Sequence, residues 1–385
     1  MEFQLLNAST GAIVKTVAIT GSGNLAKGSH AGVALDLSDA VGGTYKWALK
    51  ATAEANASLT EVSRAESFYA TRGVAINNYP ETDGFGNIYV SMCTSGTSNS
   101  IAKTKGIFVY NPLITCLNTS STTGIADASW PSEGAGSTAV GSPYRVTIAE
   151  DGELYISSSK TTTGVWKLPN GDPAEALVKV VGGGTPYGLC VTGTGSSRVL
   201  YTLDGISYSG GYIGNLYSYA IGNNPLPYES GSTTFRTAAQ INVGNAHCAI
   251  ENDKKGGFWI AQYRSDDASG LSILAHLTST GVKNYNSKTA GLGLSNSARG
   301  GMAVNKDGSL VAICTEGGKV KVFSVSYTND EIPTLTLKYT TASVGTNVDG
   351  IAFDYANNLY VVSSYSERLH IFAPTNVENN CPTPA

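Results

Sequence analysis

Gly350-Ile351-Ala352-Phe353, Asn358-Leu359-Tyr360-Val361-Val362 and Arg368-Leu369-His370-Ile371-Phe372 are three short apolar runs separated by polar, turn-forming residues. Each is too short for a helix and rich in β-branched and aromatic side chains, so each reads as a strand. The same trio recurs upstream. Its first copy is Gly73-Val74-Ala75-Ile76, Asn87-Ile88-Tyr89-Val90-Ser91 and Gly106-Ile107-Phe108-Val109-Tyr110. Further copies begin at Arg145, Gly188, His247 and Gly301, so the starts lie 43 to 72 residues apart.

A unit of this length with several strands cannot bury its apolar faces alone. Stacked on its neighbours in a closed ring it can, which predicts a β-propeller. The reading is an all-β chain: an Ig-like β-sandwich followed by a six-bladed propeller, with seven blades as the alternative if residues 1–70 conceal another. The expected divisions are a sandwich module at 1–55, a linker and ring-closing strand at 56–70, the propeller at 71–375 and a polar tail at 376–385. Asp151-Gly152 and Asp307-Gly308 supply the positive φ of tight hairpins between the first and second strands of their blades. They lack the ligand spacing of a calcium loop. The last blade wants an outermost strand, and the Leu59 to Tyr69 region is expected to provide it, removing an open edge. The long first interval predicts insertions at Thr94 to Lys105 and Leu117 to Ser137 on one rim.

Composition narrows the class. Only 14% of the 385 residues are charged, against about 25% in an ordinary domain. Hydrophobic residues make up 41% and the net charge is −4, which excludes a disordered chain. With a pI near 5.6 there is no basic footprint for nucleic acid. No run of apolar residues is long enough to span a membrane as a helix. The Ser-, Thr-, Asn-, Gly- and Tyr-rich surface suits a secreted, cell-surface or periplasmic protein, with a leader expected outside this chain. Of the six cysteines, Cys190, Cys248 and Cys314 sit in apolar runs and read as buried thiols. Cys93 and Cys116 flank a loop-rich stretch and are a possible pair, and Cys381 lies in the tail. Asn-x-Ser/Thr triplets stand at Asn7, Asn56 and Asn118.

Hydrolase and phosphate-binding signatures are absent. The glycine-rich Gly21-Ser22-Gly23 with Gly28 reads as a loop. The histidines are His30, His247, His276 and His370. In a propeller the first strand of each blade lines a central channel. Aligning the repeats rings one mouth with Arg72, Tyr144, Arg145, Tyr187, His247, Arg299 and Asp349. Arginine clamps carboxylates, and tyrosine offers a flat amphipathic face to sugars or peptides. Mutual packing within the channel is the alternative use of these side chains. Trp47, Trp166 and Trp259 alternate with polar neighbours and read as core. Tyr208 to Tyr219 is either an exposed recognition loop or a long hairpin.

Two resemblances add to this. Asn7-Ala8-Ser9-Thr10-Gly11-Ala12-Ile13-Val14-Lys15-Thr16, Lys27-Gly28-Ser29-His30, Leu35-Asp36-Leu37 and Gly43-Thr44-Tyr45-Lys46-Trp47 resemble the Ig-like module of flagellar hook-capping proteins. The repeated Gly-Val-Ala-Ile and Asn-Ile-Tyr-Val-Ser patterns resemble NHL-type six-bladed propellers. Together they look like secreted or surface proteins of gut-type Bacteroidetes. The resemblance implies fold more than activity. It also raises a metal held by His247 and Asp349, as in lactonase-like and amidating-lyase-like propellers. One histidine and few carboxylates argue against that.

The leading expectation is a non-catalytic binding or adhesion protein that presents a propeller face to a glycan, peptide or protein, with no cofactor. One alternative is a lactonase-, esterase- or lyase-like enzyme with calcium or a transition metal in the channel. Another is a structural subunit of a surface assembly.

Overall fold

The computed structural model describes residues 2–7, 13–18, 45–51, 60–61, 68–128, 130, 143–158, 164–182, 186–205, 213–222, 233–241, 248–262, 273–294, 300–328, 332–345, 347–364, 368–373 and 379–382. Among them, strands dominate, and the only α-helix is the single turn Ala238–Ile241.

Six sheets form the ring. The first blade has strands Thr71–Ile76, Ile88–Met92 and Gly106–Tyr110. The second has Val146–Ile148, Leu154–Ser157, Val165–Leu168 and Val178–Val181. Pro186–Thr192, Val199–Gly205, Ile213–Ala220 and Thr233–Arg236 make the third. Cys248–Asn252, Phe258–Gln262, Leu274–Leu277 and Lys283–Asn286 make the fourth. The fifth is Met302–Val304, Leu310–Thr315, Lys319–Thr328 and Ile332–Thr340. In the sixth, Val348–Phe353, Leu359–Ser363 and Leu369–Ala373 are joined by Thr60–Glu61 from far upstream. Glu61 pairs with Phe372 and Thr60 with Ala373. Each blade's first strand touches the first strands on either side, and the sixth touches the first. The ring therefore closes at six, which removes the seven-blade alternative.

The strands Glu2–Asn7, Ile13–Ala18 and Tyr45–Ala51 instead form a separate antiparallel sheet. Within the tail, Asn379–Pro382 is its fourth strand, paired with Tyr45–Ala51. The expected strand Gly32 to Leu37 lies outside the described residues.

Burial explains why the trios form strands. Six apolar clusters fill the six junctions between blades. Trp166 lies in the junction of blades one and two, and Trp259 in that of blades four and five. Burying each large apolar side chain contributes about 1.5–3 kcal/mol, so stacking rather than any single sheet carries the fold. Crowding near the axis requires small residues. A Cβ on Gly350 would lie 2.7 Å from the backbone nitrogen of Val74 in the next blade. At the hairpins, Gly152 adopts φ +85° and Gly308 φ +74°, as the Asp-Gly reading requires.

Blade one has no fourth strand among the described residues. A loop covers its outer edge instead, tied on by the side chain of Asn118. Val109 N donates to Asn118 Oδ1 (2.8 Å). Asn118 Nδ2 donates to the carbonyls of Ile107 (2.9 Å) and Thr123 (3.0 Å). One amide side chain thus replaces a peptide of the missing strand. The insertion at 94–105 carries a small hairpin, Gly96–Ser98 with Ile101–Lys103. Cys93 and Cys116 are not joined by a disulfide. Ile213–Ala220 is an interior strand of blade three, so the described part of the Tyr208–Tyr219 stretch is hairpin rather than exposed loop.

Candidate functional site

The structure brings Arg72, Tyr144, Arg145, Tyr187 and Asp349 together where the inner strands begin. All five are buried. Arg72 Nη1 pairs with Asp349 Oδ2 at 3.1 Å. Ser364 joins both: its hydroxyl donates to Asp349 Oδ2 (2.5 Å) and accepts from Arg72 Nη1. Burial works against the Arg72 charge, but Asp349, with smaller contributions from Cys93 and Tyr144, keeps the guanidinium protonated. Arg145 Nη1 donates to the Arg72 carbonyl (3.2 Å), and its guanidinium lies over the Tyr144 ring (5.1 Å). Tyr144 meets Tyr187 edge to face, with centroids 5.2 Å apart. Ser91 Oγ fixes the Tyr144 carbonyl at 2.6 Å. His247 and Arg299 lie outside the described residues.

Arg72, Asp349 and Ser364 are engaged with one another, while Arg72 Nε and Asp349 Oδ1 are buried without a hydrogen bond among the described residues. The Asp349 carboxylate does not suit a divalent cation, because an ion at its other oxygen would sit beside the Arg72 charge. Among the described residues, no three His, Cys, Asp or Glu side chains converge on a metal-binding point.

Below this cluster the channel narrows to a void of about 20 Å³ between Arg145 and Glu251, room for about one water. It then widens into an open cavity of about 80 Å³ at the end where the inner strands finish. Side chains here come from the last inner-strand positions and the hairpins that follow: Asn78 and Tyr79 from blade one, Glu251 and Lys254 from blade four, and Lys306 from blade five. Tyr355 of blade six stands beside Lys306, whose ammonium lies 4.1 Å from the Tyr355 ring centre and 6.0 Å from that of Tyr79. Phe85 supports Tyr355 edge to face at 5.7 Å.

Local chemistry holds these residues in place. Asn78 Nδ2 donates to the Phe353 carbonyl (2.8 Å), bridging blades one and six, while its Oδ1 is buried without a partner. The blade-four hairpin carries Lys254 at φ +65°. Asn252 Oδ1 accepts from Lys254 N (2.8 Å), and Asp253 Oδ1 accepts from Lys255 N and Gly257 N (both 2.7 Å). The other Asp253 oxygen contacts buried His276 Nε2 at 2.8 Å, and His276 Nδ1 reaches Asn284 Oδ1 at 2.7 Å. The two hydrogen-bonded ring nitrogens brace the hairpin from behind.

The surrounding strands strip bulk water from Glu251, and burial pushes its carboxyl up to about 7, tempered by Lys254 and Arg145. Burial opposes the Lys254 charge, but Tyr79, Cys190, Glu251 and Glu150 together raise its pKa. Burial lowers that of Lys306, with Glu81 opposing and Lys254 adding. Cys190, also on the wall, is held as a thiol by burial, its pKa pushed up to about 12. The sequence alignment that produced the first ring would have found this rim if read one to four residues past each inner apolar run.

No family model matches this chain, and no curated protein sequence does. Solved structures show similarity in shape. A Thermus thermophilus protein described as a putative oxidoreductase (glucose dehydrogenase) superposes with a TM-score of 0.50 at 11% identity, covering 82% of this chain and all of that one. A Bacteroides thetaiotaomicron protein of unknown function gives 0.47 at 10% identity, covering 96% and 90%. A gluconolactonase from Xanthomonas campestris gives 0.48 at 10% identity, covering 84% and 97%. At these identities the likeness concerns the fold alone.

Proposed function

We propose that this chain is a non-catalytic binding protein, secreted or held at the cell surface, whose propeller holds part of a glycan, peptide or protein at the open end of its channel. Residues 1–55, joined by the tail strand Asn379–Pro382, form the module that presents the propeller, residues 71–375.

One observation carries this reading: the two ends of the channel use their polar groups differently. At one end the Arg72, Asp349 and Ser364 side chains bond to each other. At the other, a carboxyl, two ammonium groups and a phenol line an open cavity. At about 80 Å³ it is smaller than the roughly 300–1,000 Å³ of sites that enclose a whole small molecule. It suits the end of a larger ligand. Among the described residues no histidine lines the cavity. Cys190 is a protonated thiol, and the described histidines lie in blades four and six, with His276 bonded to Asp253 and Asn284.

The test pairs metal content by mass spectrometry, on protein purified without chelators, with turnover of lactones and esters and with glycan-array and pull-down binding. Binding lost in Tyr355→Ala, without turnover, supports the proposal. One metal ion per chain lost in Asp349→Asn, or hydrolysis lost in Glu251→Gln, overturns it in favour of an enzyme.

A further inference from the structure

Resting on that reading and narrowing it, we infer that the open end of the channel takes the uncharged, hydroxyl-rich end of a saccharide. Charge balance makes the first argument. Lys254 has Glu251 and Glu150 as electrostatic neighbours, and Lys306 has Glu81. These carboxylates offset part of the positive charge, which weakens the pull on an anion, and a cationic ligand would meet the two ammonium groups first. A neutral ligand avoids both conflicts.

The second argument is the mixture of donors and acceptors. Lys254 and Lys306 donate, the Tyr79 hydroxyl does either, and Glu251 changes between donor and acceptor with its proton. Neighbouring hydroxyls on a sugar both donate and accept, so they match this set. A hydrocarbon matches none of it, and a carboxylate uses only the donors.

Shape supplies the third argument. The cavity admits one end of a sugar ring, while Tyr79 and Tyr355 stand at the mouth with Lys306 between them. Their flat amphipathic rings offer apolar contact to the C–H faces of a sugar.

The experiment is saturation-transfer NMR on the full chain. The probes are neutral hexoses and their disaccharides, the matching uronic acids, and a panel of short peptides. Variants Tyr355→Ala and Glu251→Gln are first checked for an unchanged circular-dichroism spectrum. Transfer to neutral sugars, with affinity falling about tenfold or more in Tyr355→Ala and Glu251→Gln, is the expected result. Binding of uronic acids alone overturns the inference by showing that the mouth selects anions. Peptides that bind and are lost in Tyr355→Ala, with no sugar bound, overturn the saccharide assignment while the binding-protein reading stands. If no probe of any class binds at the mouth, both fall.

Discussion

Arg72 and Asp349 lie 277 residues apart in sequence and 3.1 Å apart in space, joining the first blade to the last beside the channel axis. Their ion pair is buried, with Ser364 bonded to both partners. A buried pair is weak evidence of net stabilisation, yet removing one partner strands the other charge at a cost of about 3–5 kcal/mol. We expect Asp349→Ala and Arg72→Ala each to lower the urea midpoint sharply. The double variant Arg72→Met/Asp349→Leu should recover much of that loss. A double variant as unstable as the sum of the single changes would show that the two residues act independently.

Glu251 ties stability to pH. Its carboxyl titrates at about 7 when folded and near 4.5 when unfolded. Between these values the folded state keeps a proton that the unfolded state has released. Stability from this group is therefore full below about pH 4.5, falls as pH rises to 7, and is flat above. The groups facing it are Arg145, Lys254, Tyr79 and Cys190, and of these the Tyr79 and Cys190 pKa values lie well above this range. Glu251→Gln should match the wild type at pH 4 and exceed it at pH 8 by on the order of 1–2 kcal/mol, a value reduced because channel water reaches the carboxyl. Denaturant melts at the two pH values decide it, and equal gains at both would sink the assignment.

Asn118 closes the outer edge of blade one through three hydrogen bonds. Asn118→Ala should cost about 1–3 kcal/mol by leaving Val109 N without its partner. Asn118→Asp should cost at least as much near neutral pH, because a carboxylate would face the carbonyls of Ile107 and Thr123. Both donor hydrogens of the amide are used, so a glycan at this Asn-x-Ser triplet is incompatible with the fold. Peptide mapping of folded protein secreted from a glycosylating host should find Asn118 bare.

The sixth blade borrows Thr60–Glu61 as its outer strand. Deleting residues 1–55 keeps that strand and should leave the main unfolding transition of the propeller in place. Deleting residues 1–65 removes it and exposes the edge of Leu369–Ala373. That protein should melt earlier and self-associate on gel filtration. Identical melts for the two deletions would assign the ring's closure to side-chain packing alone.

Much of the architecture is legible in the chain itself. The period of the apolar trios gives the blades, Asp151-Gly152 and Asp307-Gly308 give hairpins, and the need to cover an edge points to the Leu59 to Tyr69 region. The outermost strands are harder. Lys283-Asn284-Tyr285-Asn286 is an outer strand whose residues are all partly exposed, so no apolar alternation marks it. Thr233–Arg236 likewise buries no residue fully, and Val178–Val181 buries only its last two, so neither carries an alternating face. The alignment also names the residues at the start of each inner strand, five of which the structure gathers into one cluster.

What the sequence determined by itself is the repeat and therefore the ring, because alternation and turn chemistry act over a few residues and are written locally. Which groups meet at each end of the channel was decided only in three dimensions. Arg72 is held at one end because blade six delivers Asp349 and Ser364 to it across the closed ring. Glu251 acquires its raised pKa because the inner strands gathered around it remove much of its contact with water. Both are consequences of closure, and no local pattern encodes a contact between residues that only closure brings together.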